Sequence, residues 1–294
     1  MVKKRIACFL MLQTLLALLI TLPQSTASTS SYYLDASRLE IMVSPTSHTA
    51  SGMVKVSSNS SSPVRLKVIP KLWQLTPQGI VTYINPPSQG YNLLDNMNIN
   101  PEEFELLPGK SRLVRFLVKV PADMKDVEYP FQLYFQPTVL LQPEMKKSAA
   151  GVSNMIDMIP VFTTTVYVYQ GSPTPDAQIK SFQCAYQSDK NQFSIDLNLE
   201  NKGNKHARLF GNALILKKDG LQNKPSGAPL EVFHLQNSML IVIFPGNPRI
   251  VQEQLTSSKK FESGHYQMEL QLVDERSVQP AIRSTCDFTV GNPK

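Results

Sequence analysis

INPEEFELLPGKSRLVRFLVKVPADMKDVEYPFQLYFQP, residues 99–137, decides the fold class. Pro108-Gly109 is a turn, and the run after it places Leu113, Val114, Phe116, Val118 and Val120 among polar and charged neighbours. That near-alternation has the period of two that a half-buried strand requires. Pro121-Ala122-Asp123 breaks it. An acidic-aromatic pair, Glu128-Tyr129, then leads into a second apolar run that ends at Pro137. Two strands joined by a short polar link read as a β-hairpin.

Outward from this stretch the same pattern repeats. Strands are expected near 38–44, 52–58, 63–75, 80–84, 102–107, 112–120, 128–136 and 159–169. A second set follows near 178–187, 191–200, 206–217, 229–235, 239–244, 250–255, 262–273 and 281–290. Nowhere is a helical period sustained. Gly171-Ser172-Pro173-Thr174-Pro175-Asp176 separates the two sets with turn residues. About seven short strands per set, closely punctuated, is the pattern of an immunoglobulin-like sandwich. The expected fold is therefore all-β, two such sandwich domains in tandem. Trp73, the single tryptophan, is expected in or beside the first core.

The N-terminus reads as a cleaved signal peptide, residues 1–27. Lys3-Lys4-Arg5 precede an apolar stretch from Ile6 to Leu22, and Ser25-Thr26-Ala27 supplies the small residues of a cleavage site. The stretch is short for a span of about 20 residues, so no integral membrane anchor is expected after cleavage. The first sandwich then occupies 28–171 and the second 172–294. Removing three leader cations lowers the formal net charge from +6 to +3. The remaining basic residues are scattered without a stripe, which argues against a nucleic-acid partner.

Loss of Cys8 with the leader leaves Cys184 and Cys286. An even count in an exported chain reads as one structural disulfide, the alternative being two buried thiols. No short metal-ligand spacing, nucleophile elbow or phosphate loop is present. Of the histidines, His48, His206, His234 and His265, each reads as polar surface. No catalytic residue, metal or cofactor is expected. The segment 137–158 is long and apolar for a loop, which marks it as an interaction element.

The ordered set Phe104, Leu107-Pro108-Gly109, Arg115, Glu128-Tyr129 and Pro137 resembles the PapD-like periplasmic pilus-assembly chaperones. The resemblance covers the first domain and, more loosely, the two-domain layout. It implies a periplasmic protein that is not an enzyme and that captures an incomplete pilin-like subunit by donating a β-strand. An outer-membrane usher is then a further partner. By the same resemblance Met155, Ile159 and Val161 are the groove-filling side chains, and Arg38 anchors the subunit's terminal carboxylate. The family's second anchoring cation is a lysine in the donated strand. Here Thr163–Gly171 holds none, and Val166 falls at or near its place. The rival reading is a cell-surface structural or adhesive sandwich that binds another protein or a glycan.

Overall fold

The computed structural model describes residues 32–85, 91–123, 126–138, 160–219, 224–225, 227–235, 241–276 and 282–291. The leader, Met155 and Ile159 lie outside them, as does nearly all of the segment 137–158. The first ten strands are β1 (Tyr32–Leu34), β2 (Arg38–Met42), β3 (Thr49–Ser58), β4 (Val64–Leu75), β5 (Val81–Ile84), β6 (Met97–Asn100), β7 (Glu103–Leu106), β8 (Ser111–Lys119), β9 (Val127–Pro137) and β10 (Phe162–Gln170). The rest are β11 (Ala177–Gln187), β12 (Gln192–Asn201), β13 (Ala207–Lys217), β14 (Glu231–His234), β15 (Ile241–Ile243), β16 (Arg249–Thr256), β17 (Gly264–Asp274) and β18 (Ile282–Val290).

They form two β-sandwiches. In the first, one sheet runs β1-β3-β8-β6 and the other β2-β10-β9-β4-β5, with β7 also paired to β4. In the second, β11-β12-β16 faces β14-β13-β17-β18, with β15 also on β13. No helix of the described residues is long and apolar enough to cross a membrane.

One expectation is corrected here. The strands flanking Pro121-Ala122-Asp123 do not form a hairpin. β8 pairs with β3 and β6, whereas β9 pairs with β10 and β4. The polar link crosses between sheets. The reason lies in the side chains: Val114, Phe116 and Val118 are buried from one sheet, and Phe131, Leu133 and Phe135 from the other. The rings of Phe116 and Phe131 meet edge to face at 5.7 Å. Two strands that bury their apolar alternates against each other face to face cannot also be ladder neighbours. The Pro108-Gly109 turn crosses sheets as well, from β7 to β8. Lys110 N–H donates to Leu107 O at 3.0 Å, and Gly109 holds φ +65°, which suits a residue without Cβ.

β1 and β6, at three and four residues, are strands the sequence pattern does not announce. β1 matters most. Tyr32 is wholly buried, and its hydroxyl donates to Phe135 O at 2.5 Å. The chain then bends at Asp35–Ser37 and re-enters the opposite sheet as β2.

The second sandwich closes through the disulfide Cys184–Cys286, which joins its first and last strands across a sequence separation of 102 residues. Replacing both cysteines by alanine should cost the second sandwich about 2–4 kcal/mol. Urea unfolding under non-reducing conditions would read this as a lower midpoint. In the first sandwich, Phe131→Ala should cost about 3–5 kcal/mol, because the ring is fully enclosed. An unchanged midpoint in either variant would contradict the packing described.

Candidate functional site

The site begins with the edge of β10. On one side β10 pairs antiparallel with β9 along its whole length, from Phe162 to Gln170. On the other, β2 joins it in parallel, from Arg38 opposite Thr165 to Met42 opposite Tyr169. Thr165 N–H donates to Ser37 O at 2.9 Å, and Tyr169 O accepts from Val43 at 2.8 Å. Thr165–Tyr169 is therefore bonded on both flanks, and the expectation that the whole of 159–169 could be lent is corrected. The cause is the bend at Asp35–Ser37, which carries the N-terminal strand onto this edge.

Upstream of Thr165 the situation reverses. No described strand pairs with Phe162–Thr164 on that side. Backbone groups alternate in direction along a strand, so those of Thr163 share the edge of Thr165. The side chains also alternate. Thr164, Val166 and Val168 are buried in the first core, and Phe162 packs against it, while Val161 is 44% exposed. Tyr32 caps the inner side of this segment: its hydroxyl oxygen accepts from Phe162 N–H at 3.3 Å and lies 3.1 Å from Pro160 O. Met155 and Ile159 belong to the undescribed segment that leads into this edge.

Where β2 begins, a cavity of about 370 Å³ opens between the sandwiches. Arg38 and Thr165 line it from the first sandwich, with Trp73, and Arg208 and Arg249 line it from the second. No acidic residue is among its lining. Arg38 thus lies in the cleft between the sandwiches. It is not a free cation, however. Its Nη1 lies 2.5 Å from Oε1 of Glu275, and the same oxygen accepts from Arg208 Nε at 2.6 Å. One carboxylate is shared between two guanidinium groups.

Arg249 differs from both. Its Nη1 donates to two carbonyls, Pro77 O at 2.9 Å and Ile250 O at 2.7 Å. Its Nε is buried without a partner among the described residues, and so is the indole N–H of Trp73. Among the described residues no carboxylate lies within ion-pair distance of Arg249. Burial lowers its affinity for its proton, as expected of a desolvated cation. The β4–β5 turn fixes its place: Ile250 N–H donates to Pro77 O at 2.7 Å. Gly79 presses on the guanidinium so closely that a Cβ would fall 2.1 Å from Nη2, and its φ is +81°. Three arginines line the cavity and two of them share the Glu275 carboxylate, so the net charge at its wall is positive, which favours an oxyanion.

The seam beside the cavity is both aromatic and ionic. Trp73 lies edge to face with Phe244 at 5.0 Å, and Tyr167 stacks on His206 at 3.7 Å. Burial pushes the Tyr167 hydroxyl up to about 12. Arg276 reaches Glu40 at 3.1 Å, and Lys205 reaches it at 3.4 Å. Burial alone would raise the Glu40 carboxyl, but Arg276 and Lys205 outweigh it and hold it low. His206 is fully buried, so its reading as polar surface is corrected. A lone histidine in sequence carries no sign of the opposite sandwich that covers it.

No family model matches the sequence, and no curated protein does. Solved structures do resemble it in shape. One, described as a chaperone–tip adhesin complex of CFA/I fimbriae biogenesis, is 12% identical with a TM-score of 0.45, over 87% of this chain and 99% of that one. The class 5 fimbriae chaperone CfaA is 11% identical with a TM-score of 0.44, over 87% of this chain and 98% of that one. The CsuC–CsuE chaperone–tip adhesion subunit pre-assembly complex of Acinetobacter baumannii is 11% identical with a TM-score of 0.43, over 76% and 90%.

Trp73 was expected in or beside the first core. It lies beside that core, in a small buried cluster with Tyr167 of the first sandwich and Phe244 of the second. Phe244→Ala should remove about 3 kcal/mol of packing from that cluster. The expected readout is a red-shifted Trp73 emission with unchanged far-UV circular dichroism. An unshifted emission would mean that the aromatic cluster does not hold the seam.

Proposed function

We propose that the chain is a non-enzymatic assembly chaperone of the PapD-like kind. It holds a pilin-like subunit that lacks a strand by adding the segment upstream of Thr165 to the subunit's open sheet. Backbone hydrogen bonds along the free edge supply affinity, and Val161, with Ile159 and Met155 before it, fills the subunit's groove. The carrying observation is that, among the described residues, β10 is paired on both flanks from Thr165 onward and on one flank before it, and that the edge left unpaired there leads to the arginine-lined cavity. A guest strand lying parallel to β10 there, as β2 does, ends at Ser37 and Arg38. Its terminal carboxylate then enters the cavity.

Arg38 supplies one cation for that carboxylate, as the sequence resemblance implies. The missing β10 lysine is replaced from the other sandwich. Arg249 brings a guanidinium with no carboxylate of its own among the described residues, and Arg208 brings another. A guanidinium can grip both carboxylate oxygens, so the substitution preserves the chemistry. Export to the periplasm by the N-terminal leader and delivery to an outer-membrane usher complete the reading.

The test is capture of subunit from a periplasmic extract, with the bound chains identified. Replacing Ile159 and Val161 together by aspartate should abolish capture while the circular dichroism stays unchanged, since Val161 is exposed. Undiminished capture would remove strand addition. Arg249→Gln should weaken capture roughly 10- to 100-fold, the worth of a charged hydrogen bond. Equal affinity would place the carboxylate elsewhere.

A further inference from the structure

The seam beside the cavity contains a titratable group that neither strand addition nor carboxylate binding uses. His206 has no exposed surface, and the side chain of its partner Glu128 is 2% exposed. The two come from different sandwiches. His206 N–H donates to Glu128 Oε2 at 2.9 Å, and Nδ1 lies 2.8 and 2.7 Å from the two carboxylate oxygens. On the opposite side of the ring, Nε2 lies 3.3 Å from Nη1 of Arg276, whose other amino group donates to His206 O.

This geometry fixes the tautomer. A guanidinium can only donate, so Nε2 must accept and Nδ1 must carry the single proton. The ring is neutral. A second proton on Nε2 would point at Arg276, setting like charges and two donors against each other.

Every element around the ring takes part. β9 contributes Glu128, β2 contributes Glu40, and β10 contributes Tyr167 stacked on its face. Lys205 precedes the histidine and bonds Glu40. Arg276 follows β17, where Asp274 holds it at 3.5 Å, and Arg208 on β13 lies near Tyr167. Glu128 and Glu40 favour the proton, while burial and Arg276 oppose it. Burial is the largest influence, and the net effect lowers the ring below its ordinary range.

We infer that His206 is an acid-sensitive latch between the sandwiches: protonation of Nε2 expels Arg276 from the ring, releases its bridge to Glu40 and loosens the seam. The direction follows from linkage. A ring freed into water binds a proton near pH 6.5, more readily than the ring held in the closed seam. Closure is therefore fully favoured above about pH 6.5 and is lost as the pH falls toward the lower value of the closed state. Tyr167 both stacks on the latch and lines the cavity, so acid also disturbs the cleft. That last consequence rests on the chaperone reading. The latch itself does not, and its test needs no subunit.

Trp73 is the only tryptophan, and it packs on Phe244 from the other sandwich, so its emission reports the seam. The wild-type protein is titrated from about pH 7.5 to about pH 5, the range in which histidine changes charge. The expected result is a red shift of emission and a larger radius of gyration by X-ray scattering, with unchanged far-UV circular dichroism. His206→Gln should give no shift across that range. Arg276→Gln, which removes the opposing cation, should let the ring charge without opening and so also abolish the shift. A wild-type protein that keeps its emission and radius over the range overturns the latch, as does a wild-type response in either variant. Should His206→Gln not fold, the wild-type titration and Arg276→Gln decide alone.

Discussion

The parallel pairing of β2 with β10, and its abrupt end at Thr165, is the constraint on which the rest of the structure depends. Tyr32–Leu34 belongs to one sheet of the first sandwich and Arg38–Met42 to the other, so the N-terminal strand changes sheets within a few residues. Five residues of β2 therefore occupy part of an edge instead of all of it. The occupied part is closed to further pairing and secures β10 to the core. Among the described residues no strand covers the part left over, beside the arginine-lined cavity. An exposed edge is a hazard in an ordinary sandwich, because it invites pairing with other chains. Under the function proposed above, the same edge is the working surface.

The second sandwich supplies the other wall of the cavity. It contributes Arg208 and Arg249 to the cavity, and its Glu275 ties Arg38 to Arg208. The relative placement of the sandwiches is held by buried interactions: the Trp73–Phe244 contact, the Tyr167–His206 stack and the Glu128–His206 pair. Such groups are costly to bury and are tolerated only when mutually satisfied. A cleft built this way has its cations fixed in place, which under the proposed function reduces the ordering cost of binding.

Most of the strand content was legible because burial on one face imposes a period of two. The runs at Ser111–Lys119 and Gln192–Asn201 show it clearly. The pairing of Cys184 with Cys286 was legible from an even count. Which sheet a strand joins was not. β8 and β9 are sequence neighbours with a short link, the usual mark of a hairpin, yet they face each other across the core through Phe116 and Phe131. β1 is too short for periodicity to register. Of the residues lining the cavity, the sequence singles out only Arg38 through a motif. Arg249 is distant in sequence from Pro77 and Gly79, and His206 from Glu128, Tyr167 and Arg276, so their roles arise from the approach of one sandwich to the other. The one local hint was Gly79, in a turn whose positive φ and lack of Cβ leave room for the Arg249 guanidinium.

Backbone amide hydrogen exchange along β10, with and without a captured subunit, tests the lending of an edge most directly. In the free protein Thr165, Tyr167 and Tyr169 should be protected, while Val161 and Thr163 exchange quickly. Capture should slow Val161 and Thr163 and leave the others as they were. Fast exchange at Val161 and Thr163 in the captured state would contradict the account.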